Sequence, residues 1–449
     1  MATKSIKTKQ ITPFQLLVAF YFLAILFSFL LLRIPAVYQE GKEVSALDSL
    51  FTAVSAISVT GLTVFNVADT FTNFGVLVLL IIVQLGAIGV MSFGTFIWLL
   101  IGKRIGLRER QLIMIDFNQP QLAGVVRLLK EIIKILFLIE TVGTLILSIH
   151  FLRYFDTWPE AFKHGLFAAI SATTNSGFDI TGESYKPFYY DYFVQFISMI
   201  LIVLGAIGFP VLVEVKHYLT KKDPAFRFSL FTKITTATYG VLFVVGAVVI
   251  LISESFYSMR GLPWHERLFA AMFQSVSTRS AGLTTIDVEL FNEATDIFLS
   301  FLMFIGSSPS SVGGGIRTTT FAIAMLFLIN FANGRKEIQV FGREICLDDI
   351  LRSFVVIILA AFMVLMATMV LVMTEPYATT TEIIFEITSA FGTCGMSLGI
   401  TENLSGAGKL IIMALMFIGR VGLISFLYTL GGKAQKPKYR YPRERIIIG

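Results

Sequence analysis

Charge is the scarcest resource in this sequence: only 15% of its 449 residues are Asp, Glu, Lys or Arg, well below the quarter or so of an ordinary soluble domain. A chain this poor in charge cannot cover a water-facing surface of its own size. Its two cysteines, Cys346 and Cys394, fall on opposite sides of the topology derived below, which excludes both a disulfide framework and a thiolate cluster. The four histidines, His150, His164, His217 and His265, show no metal-ligand spacing. No nucleophile, base and acid converge in one motif, so an enzyme is not expected. Nor does the chain carry the G-x-x-x-x-G-K-[ST] pattern of a phosphate loop.

What is abundant is apolar length. Hydrophobic residues make up 55% of the chain and its mean hydropathy is +0.78. Stretches such as PFQLLVAFYFLAILFSFLLL, FGVLVLLIIVQLGAIGVMSFGTFIWLLI, IIKILFLIETVGTLILSI and FVQFISMILIVLGAIGFPVLV each suffice to cross a hydrocarbon core about 30 Å thick. The first is too long for a cleaved leader and lacks a small-residue cleavage site, so it is expected to stay in the membrane. The net charge of +6 is not gathered into a patch that would hold nucleic acid. Assigned to alternate loops, 23 basic residues fall on one side, from Lys4, Lys7 and Lys9 through Arg104, Lys222 and Lys336 to Lys433, Lys436, Lys438, Arg440, Arg443 and Arg445. Positive-inside bias then places both termini in the cytoplasm, with the lipid bilayer around a multi-pass protein.

Four short stretches resemble one another: AVSAISVTGLTVFN, AISATTNSGFDIT, SVSTRSAGLTTID and ITSAFGTCGMSLGIT. Each contains a glycine, at Gly61, Gly177, Gly282 and Gly395, and successive ones are 105 to 116 residues apart. A second marker follows each by 24 to 28 residues, in VQLGAIGV, VLGAIGF, MFIGSSPS and MFIGRVGL. The chain thus divides into four units, 1–110, 111–222, 223–336 and 337–449. Each reads as a membrane helix, a half-length helix beginning near Ser45, Pro159, Pro263 or Thr379, a glycine loop, and a second membrane helix. The expected fold is an all-α polytopic membrane protein with four re-entrant repeats around a pseudo-fourfold central pore.

Backbone that is not helical survives at mid-membrane only where it is buried in protein or lines a water-filled path. A ring of carbonyl oxygens can replace the water around a dehydrated cation, and the C-terminal ends of the half-helices add partial negative charge. The expected lining is Val59, Thr60 and Gly61, then Asn175, Ser176 and Gly177, then Ser280, Ala281 and Gly282, and finally Thr393, Cys394 and Gly395. The loop cores TTNSG, TRSAG and GTCGM hold no carboxylate, which favours a monovalent cation held by backbone oxygens. Cys394 has no evident base, so its backbone matters more than its thiol.

On these repeats the chain resembles the Trk/Ktr/HKT superfamily of potassium transporters, most closely the membrane subunit of a bacterial Ktr system. The resemblance implies potassium uptake across the cell membrane, often Na⁺-dependent, by a homodimer with one pore per subunit. It also implies a cytoplasmic ring of nucleotide-binding, RCK-type regulatory subunits. In some plant relatives the first filter glycine is serine, a change associated with sodium transport; glycine at all four positions here favours potassium.

The third second-marker opens into IGSSPSSVGGGIRTTT. Pro309 removes a helical donor, and each of three consecutive glycines costs about 1 kcal/mol relative to alanine, so the helix is expected to break. The resemblance makes the segment, Gly306, Ser307, Ser308, Pro309, Ser310, Ser311, Gly313, Gly314, Gly315 and Arg317, a gate loop beneath the filter; close helix packing is the plainer reading. Arg420 stands at the same marker of the fourth repeat. An arginine this deep is expected to face a cavity or a partner, either the gate loop's carbonyls or an ion-pair carboxylate, Glu140 or Glu386. Asp69, Asp179, Asp287 and Glu402 follow the four filter loops and either enrich cations at the outer mouth or are solvated loop charges. An alternating-access carrier is the competing class, but it usually shows two repeats with a pair of broken helices.

Overall fold

The computed structural model describes residues 12–101, 103, 105–117, 122–221, 226–335, 337–431 and positions 439, 442 and 444. The basic N-terminal segment, Arg104, Lys222, Lys336 and the basic C-terminal residues Lys433, Lys436, Lys438, Arg440, Arg443 and Arg445 lie outside the described residues.

Four apolar helices of 20 to 28 residues, Pro13–Leu32, Val125–Phe151, Leu230–Glu254 and Leu347–Thr374, are long enough to span a bilayer. Each is followed by a half-length helix: Ala46–Ser58, Trp158–Thr174, Trp264–Ser277 and Thr380–Gly392. Their starts follow from local chemistry. Ser45 Oγ accepts from Asp48 N at 3.1 Å, and Thr379 and Glu382 form a reciprocal capping box. The second half-helix begins one turn edge earlier than its proline suggests, with Thr157 as cap and Pro159 inside the first turn, where a missing N–H is harmless. Phe22, Leu23 and Phe27 on the first long helix and Ile358 and Phe362 on the last are more than half exposed; they face outward, as lipid-facing side chains do.

The second apolar helix is broken in every repeat, whereas the sequence predicts a break only in the third. Asn73–Ile88 and Val90–Leu99 meet at 95°, and Tyr192–Ala206 and Phe209–Thr220 at 105°. In the fourth repeat Gly406–Val421 gives way to Leu423–Gly431. The bends turn on Gly89 (φ 88°), Gly208 (φ 99°) and Gly422 (φ 88°), a backbone region that L side chains rarely enter. Hydropathy carries no trace of such a bend, because both limbs are apolar. The third repeat differs in kind: Glu293–Ile305 and Thr318–Ala332 are separated by the loop 306–317. The division at 110/111 cuts the short helix Leu107–Asp116, which links the first repeat to Val125–Phe151.

The second-marker glycines have a packing reason of their own. A methyl group on Gly86 would overlap Ile57 O, one on Gly205 would overlap Thr173 O, and one on Gly419 would overlap Phe391 O. Each of these carbonyls lies four residues before its repeat's filter glycine. Second helix and half-helix therefore approach backbone to backbone in three repeats, which fixes the depth of the loop that follows.

Candidate functional site

In repeats one, two and four the half-helix ends on a left-handed residue two before the glycine: Val59 (φ 57°), Asn175 (φ 51°) and Thr393 (φ 48°). The next N–H folds back onto the last turn, from Thr60 to Ser55 O (2.9 Å), Ser176 to Ser171 O (3.0 Å) and Cys394 to Ser389 O (2.8 Å). Gly61 N and Gly395 N then donate to the hydroxyls of Ser55 and Ser389, both at 3.1 Å. Serine in these half-helices thus has a defined task, holding the loop's donors backward. All four glycines have positive φ, from 68° to 96°.

The loops close on one another in order. A methyl group on Gly61 would overlap Ser176 O, one on Gly282 would overlap Cys394 O, and one on Gly395 would overlap Thr60 O. On Gly177 it would lie 3.1 Å from Ala281 O, 3.2 Å from Thr60 O and 3.4 Å from Cys394 O, so carbonyls of the other three repeats converge on a single point. Repeats one, two, three and four form a closed ring of backbone oxygen.

Under that ring lies the loop 306–317. Its mouth is pinched by Ser307 N donating to Gly314 O at 3.3 Å. Ser308 N donates to Ala206 O (3.1 Å), while Ser310 O accepts from Phe209 N (2.9 Å), both in repeat two. Ser310 Oγ donates to Phe117 O. A methyl group on Gly313 would meet Ser280 Oγ, and one on Gly314 would meet the Thr393 side chain and Gly419 O. Serine pairs lock the loop internally: Ser307 with Ser311 at 2.8 Å and Ser311 with Ser308 O at 2.6 Å. Val312 is fully buried against Val59 and Ile88.

Two arginines hold this loop. Arg420 donates to Val312 O, to Gly86 O and, at 3.3 Å, to Ala87 O. It meets the loop's carbonyl rather than a carboxylate: Glu140 accepts from Gln84 and Glu386 from Thr401. Arg317 folds back to donate to Gly313 O, Ser308 O and Ser307 Oγ, the last two at 3.3 Å. Its backbone (φ 80°, ψ 143°) repeats that of the hinge Gly422 (φ 88°, ψ 138°). A side chain is thus kept at a glycine-like hinge, where strain of order 1–3 kcal/mol is usual.

The whole chain can be compared with known proteins on this basis. Residues 2–436 match the family model "TrkH: Cation transport protein". The chain is 52% identical to Ktr system potassium uptake protein D of Bacillus subtilis, covering 98% of both, and 36% identical to Ktr system potassium uptake protein B of the same organism, covering 99% of both. It is 32% identical to the potassium/sodium uptake protein NtpJ of Enterococcus hirae, covering 98% of both. The chain belongs to the TrkH cation transport family. The crystal structure of the potassium transporter TrkH from Vibrio parahaemolyticus shares its fold, with a TM-score of 0.69 at 19% identity over 95% of this chain and 86% of that one.

In this TrkH-family chain an open cavity of about 250 Å³ sits over the ring, lined by Gly61, Gly177, Gly282 and Gly395 with Asp179, Asp287 and Glu402. Asp69 is exposed and lies outside that lining. The acids differ in kind. Asp179 Oδ2 accepts from Thr181 Oγ1 (2.7 Å), Gly182 N (2.8 Å) and Ser184 N (3.0 Å), which makes it the centre of a turn, and burial pushes its carboxyl above the usual range. Asp287 pairs with Lys186, and Glu289 lines the same cavity; no motif in the sequence marks Lys186 or Glu289. Asp116 is equally unmarked. It accepts from Ser92 Oγ (2.8 Å) and Tyr21 Oη (3.4 Å) in the small polar cavity, about 30 Å³, that Arg317 and Arg420 also line. A lone aspartate at the end of a short, mixed polar and apolar helix gives no signal of this in sequence.

Proposed function

We propose that this chain takes up potassium across the cell membrane, with the ring of Thr60, Ser176, Ala281 and Cys394 carbonyls as its selectivity filter and the loop 306–317 as its gate. The observation that carries this reading is the convergence of carbonyl oxygens from repeats one, three and four within 3.4 Å of one point at Gly177 in repeat two. Such a point is ringed by backbone dipoles and offers no carboxylate, so it suits a dehydrated monovalent cation. Relatives named as potassium uptake proteins support K⁺ as the ion, and one named for potassium and sodium supports Na⁺ as a second ion or coupling partner.

The gate reading follows from position. The loop touches all four repeats, is buried throughout its serine–glycine core, and blocks the space below the filter. Arg420 adds a fixed positive charge there, which repels a cation until the loop moves. Regulation belongs to a separate subunit: the relatives are named as parts of a Ktr system, and we assign the basic cytoplasmic face, with both termini on that side, to docking a nucleotide-binding ring of RCK type. A homodimer with one pore per chain completes the proposal, in the bacterial plasma membrane. Four convergent loops favour it over an alternating-access carrier.

Cation flux into proteoliposomes tests both halves at once. The intact chain is expected to pass K⁺ in preference to Na⁺, and a chain lacking 308–314 to pass more, because the pinch between Ser307 and Gly314 brings the cut ends together. Equal flux of the two ions in both chains would defeat the filter and revive the carrier.

A further inference from the structure

Three arginines stand around the ring and its loop, and one behaves unlike the others. Arg317 and Arg420 donate to loop carbonyls. Arg279 has no exposed surface at all, yet among the described residues nothing accepts a hydrogen bond from its Nε, Nη1 or Nη2. Its guanidinium lies over the ring of Tyr239, 5.4 Å from the centroid, and the Tyr239 hydroxyl is also without a partner. An arginine stays charged in protein surroundings, and an arginine whose work was to staple backbone would be bonded as the other two are.

Its place in the chain is equally exceptional. Ser171 and Ser277 do the same job, each donating Oγ to the carbonyl that follows its filter glycine, Phe178 O at 2.6 Å and Leu283 O at 2.5 Å. Ser171 precedes Gly177 by six residues, but Ser277 precedes Gly282 by five. The third turn is therefore one residue tighter. Its half-helix ends at Thr278 in ordinary helical geometry, and the left-handed residue is Ser280 (φ 79°). Arg279 sits inside that turn, next to Ser280, whose Oγ donates to Gly392 O at 2.7 Å. The turn is clamped to repeat four and to Gly313 of the loop. A charge there stays in the filter wall.

We propose that Arg279 is a positioning residue for transport, whose fixed charge behind the third loop weakens cation binding in the ring enough for the ion to leave. The inference rests on reading the ring as a cation filter. Four half-helix C-termini and a ring of carbonyls all attract a cation, and conduction needs binding that is favourable but escapable. In a dry wall a unit charge acts over several ångströms, so one guanidinium offsets part of that attraction without touching the ion.

The test is potassium uptake against potassium concentration in proteoliposomes holding the full chain, for the unmodified protein, Arg279→Lys, Arg279→Met and Arg279→Gln. Both neutral variants are expected to show an apparent KM about tenfold lower together with a lower maximal rate, while Arg279→Lys stays within about twofold of the unmodified chain. A structural role alone lowers the rate without tightening KM. An unchanged or raised KM in a folded neutral variant therefore overturns the proposal, as does failure of both neutral variants to fold while Arg279→Lys folds. Absence of potassium flux in the unmodified chain would instead remove the filter reading itself.

Discussion

Repeats two and three begin from nearly the same plan and part at one point. In repeat two the second helix bends 105° about Gly208 and continues at once. In repeat three the corresponding position is Pro309, and the chain leaves the helix at Gly306 (φ 69°) to return only at Arg317. The first solution is rigid, with Gly205 seated against Thr173 O. In the second, Gly306 faces Gly314 O of its own loop, so the half-helix contact is replaced by one within the inserted segment. Repetition builds the ring, and under the proposed function the gate is the one place where a repeat departs from it. Arg420 sharpens the contrast, since the second marker of repeat four keeps both glycines of repeats one and two but has arginine where they have alanine, and that side chain bonds the insertion.

The hardest way to break the comparison is to place the same small change in the ring and in the scaffold. Gly395→Ala puts a methyl group on Thr60 O at φ 96°; potassium uptake is expected to fall by about a hundredfold or more, since the oxygen ring cannot close. Gly205→Ala makes the same kind of overlap with Thr173 O one layer lower. It is expected to cost about 2 kcal/mol of stability, read by thermal unfolding, while preference for K⁺ over Na⁺ persists. Equal effects of the two on selectivity would mean that ring and scaffold are not separate.

A smaller effect is expected at the pin. Arg420→Met removes the donors to Val312 O, Gly86 O and Ala87 O, and each buried carbonyl left short of a partner costs on the order of 1–3 kcal/mol. The closed loop loses most from this. Basal potassium flux is expected to rise by about tenfold with its ion preference intact; a fall in flux would make Arg420 a part of the conducting path rather than of the gate.

Much of the ring was legible because repetition magnifies weak signals. Four half-helices whose last turns are rich in Ser, Ala and Thr, each followed by a glycine, locate loops that no single copy would locate, and Val59, Asn175 and Thr393 take the left-handed geometry that a helix-to-glycine turn needs. The bends at Gly89, Gly208 and Gly422 escaped for a physical reason: a helix bent between two apolar limbs has the same hydropathy as a straight one. Arg279 lay in plain view within SVSTRSAG, but its oddity is an absence of partners, and partners are a property of three dimensions. The vestibule acids looked alike in sequence, and only the N–H groups aimed at Asp179 set it apart from Glu402.

That last distinction predicts the smallest effect. Asp179 spends its carboxylate on a turn, so Asp179→Asn should lower stability modestly, by about 1 kcal/mol, and leave the salt dependence of uptake as it was. Glu402 lines the same cavity and, among the described residues, holds no such backbone N–H groups, so on the proposed reading it serves the arriving ion. Glu402→Gln is expected to slow potassium uptake about twofold at low ionic strength, and the difference should vanish near physiological salt, where the screening length falls to about 8 Å. A salt-insensitive loss in Glu402→Gln would make this carboxylate structural as well, and the mouth would then draw its field from Asp287 and Glu289, with Lys186 set against them.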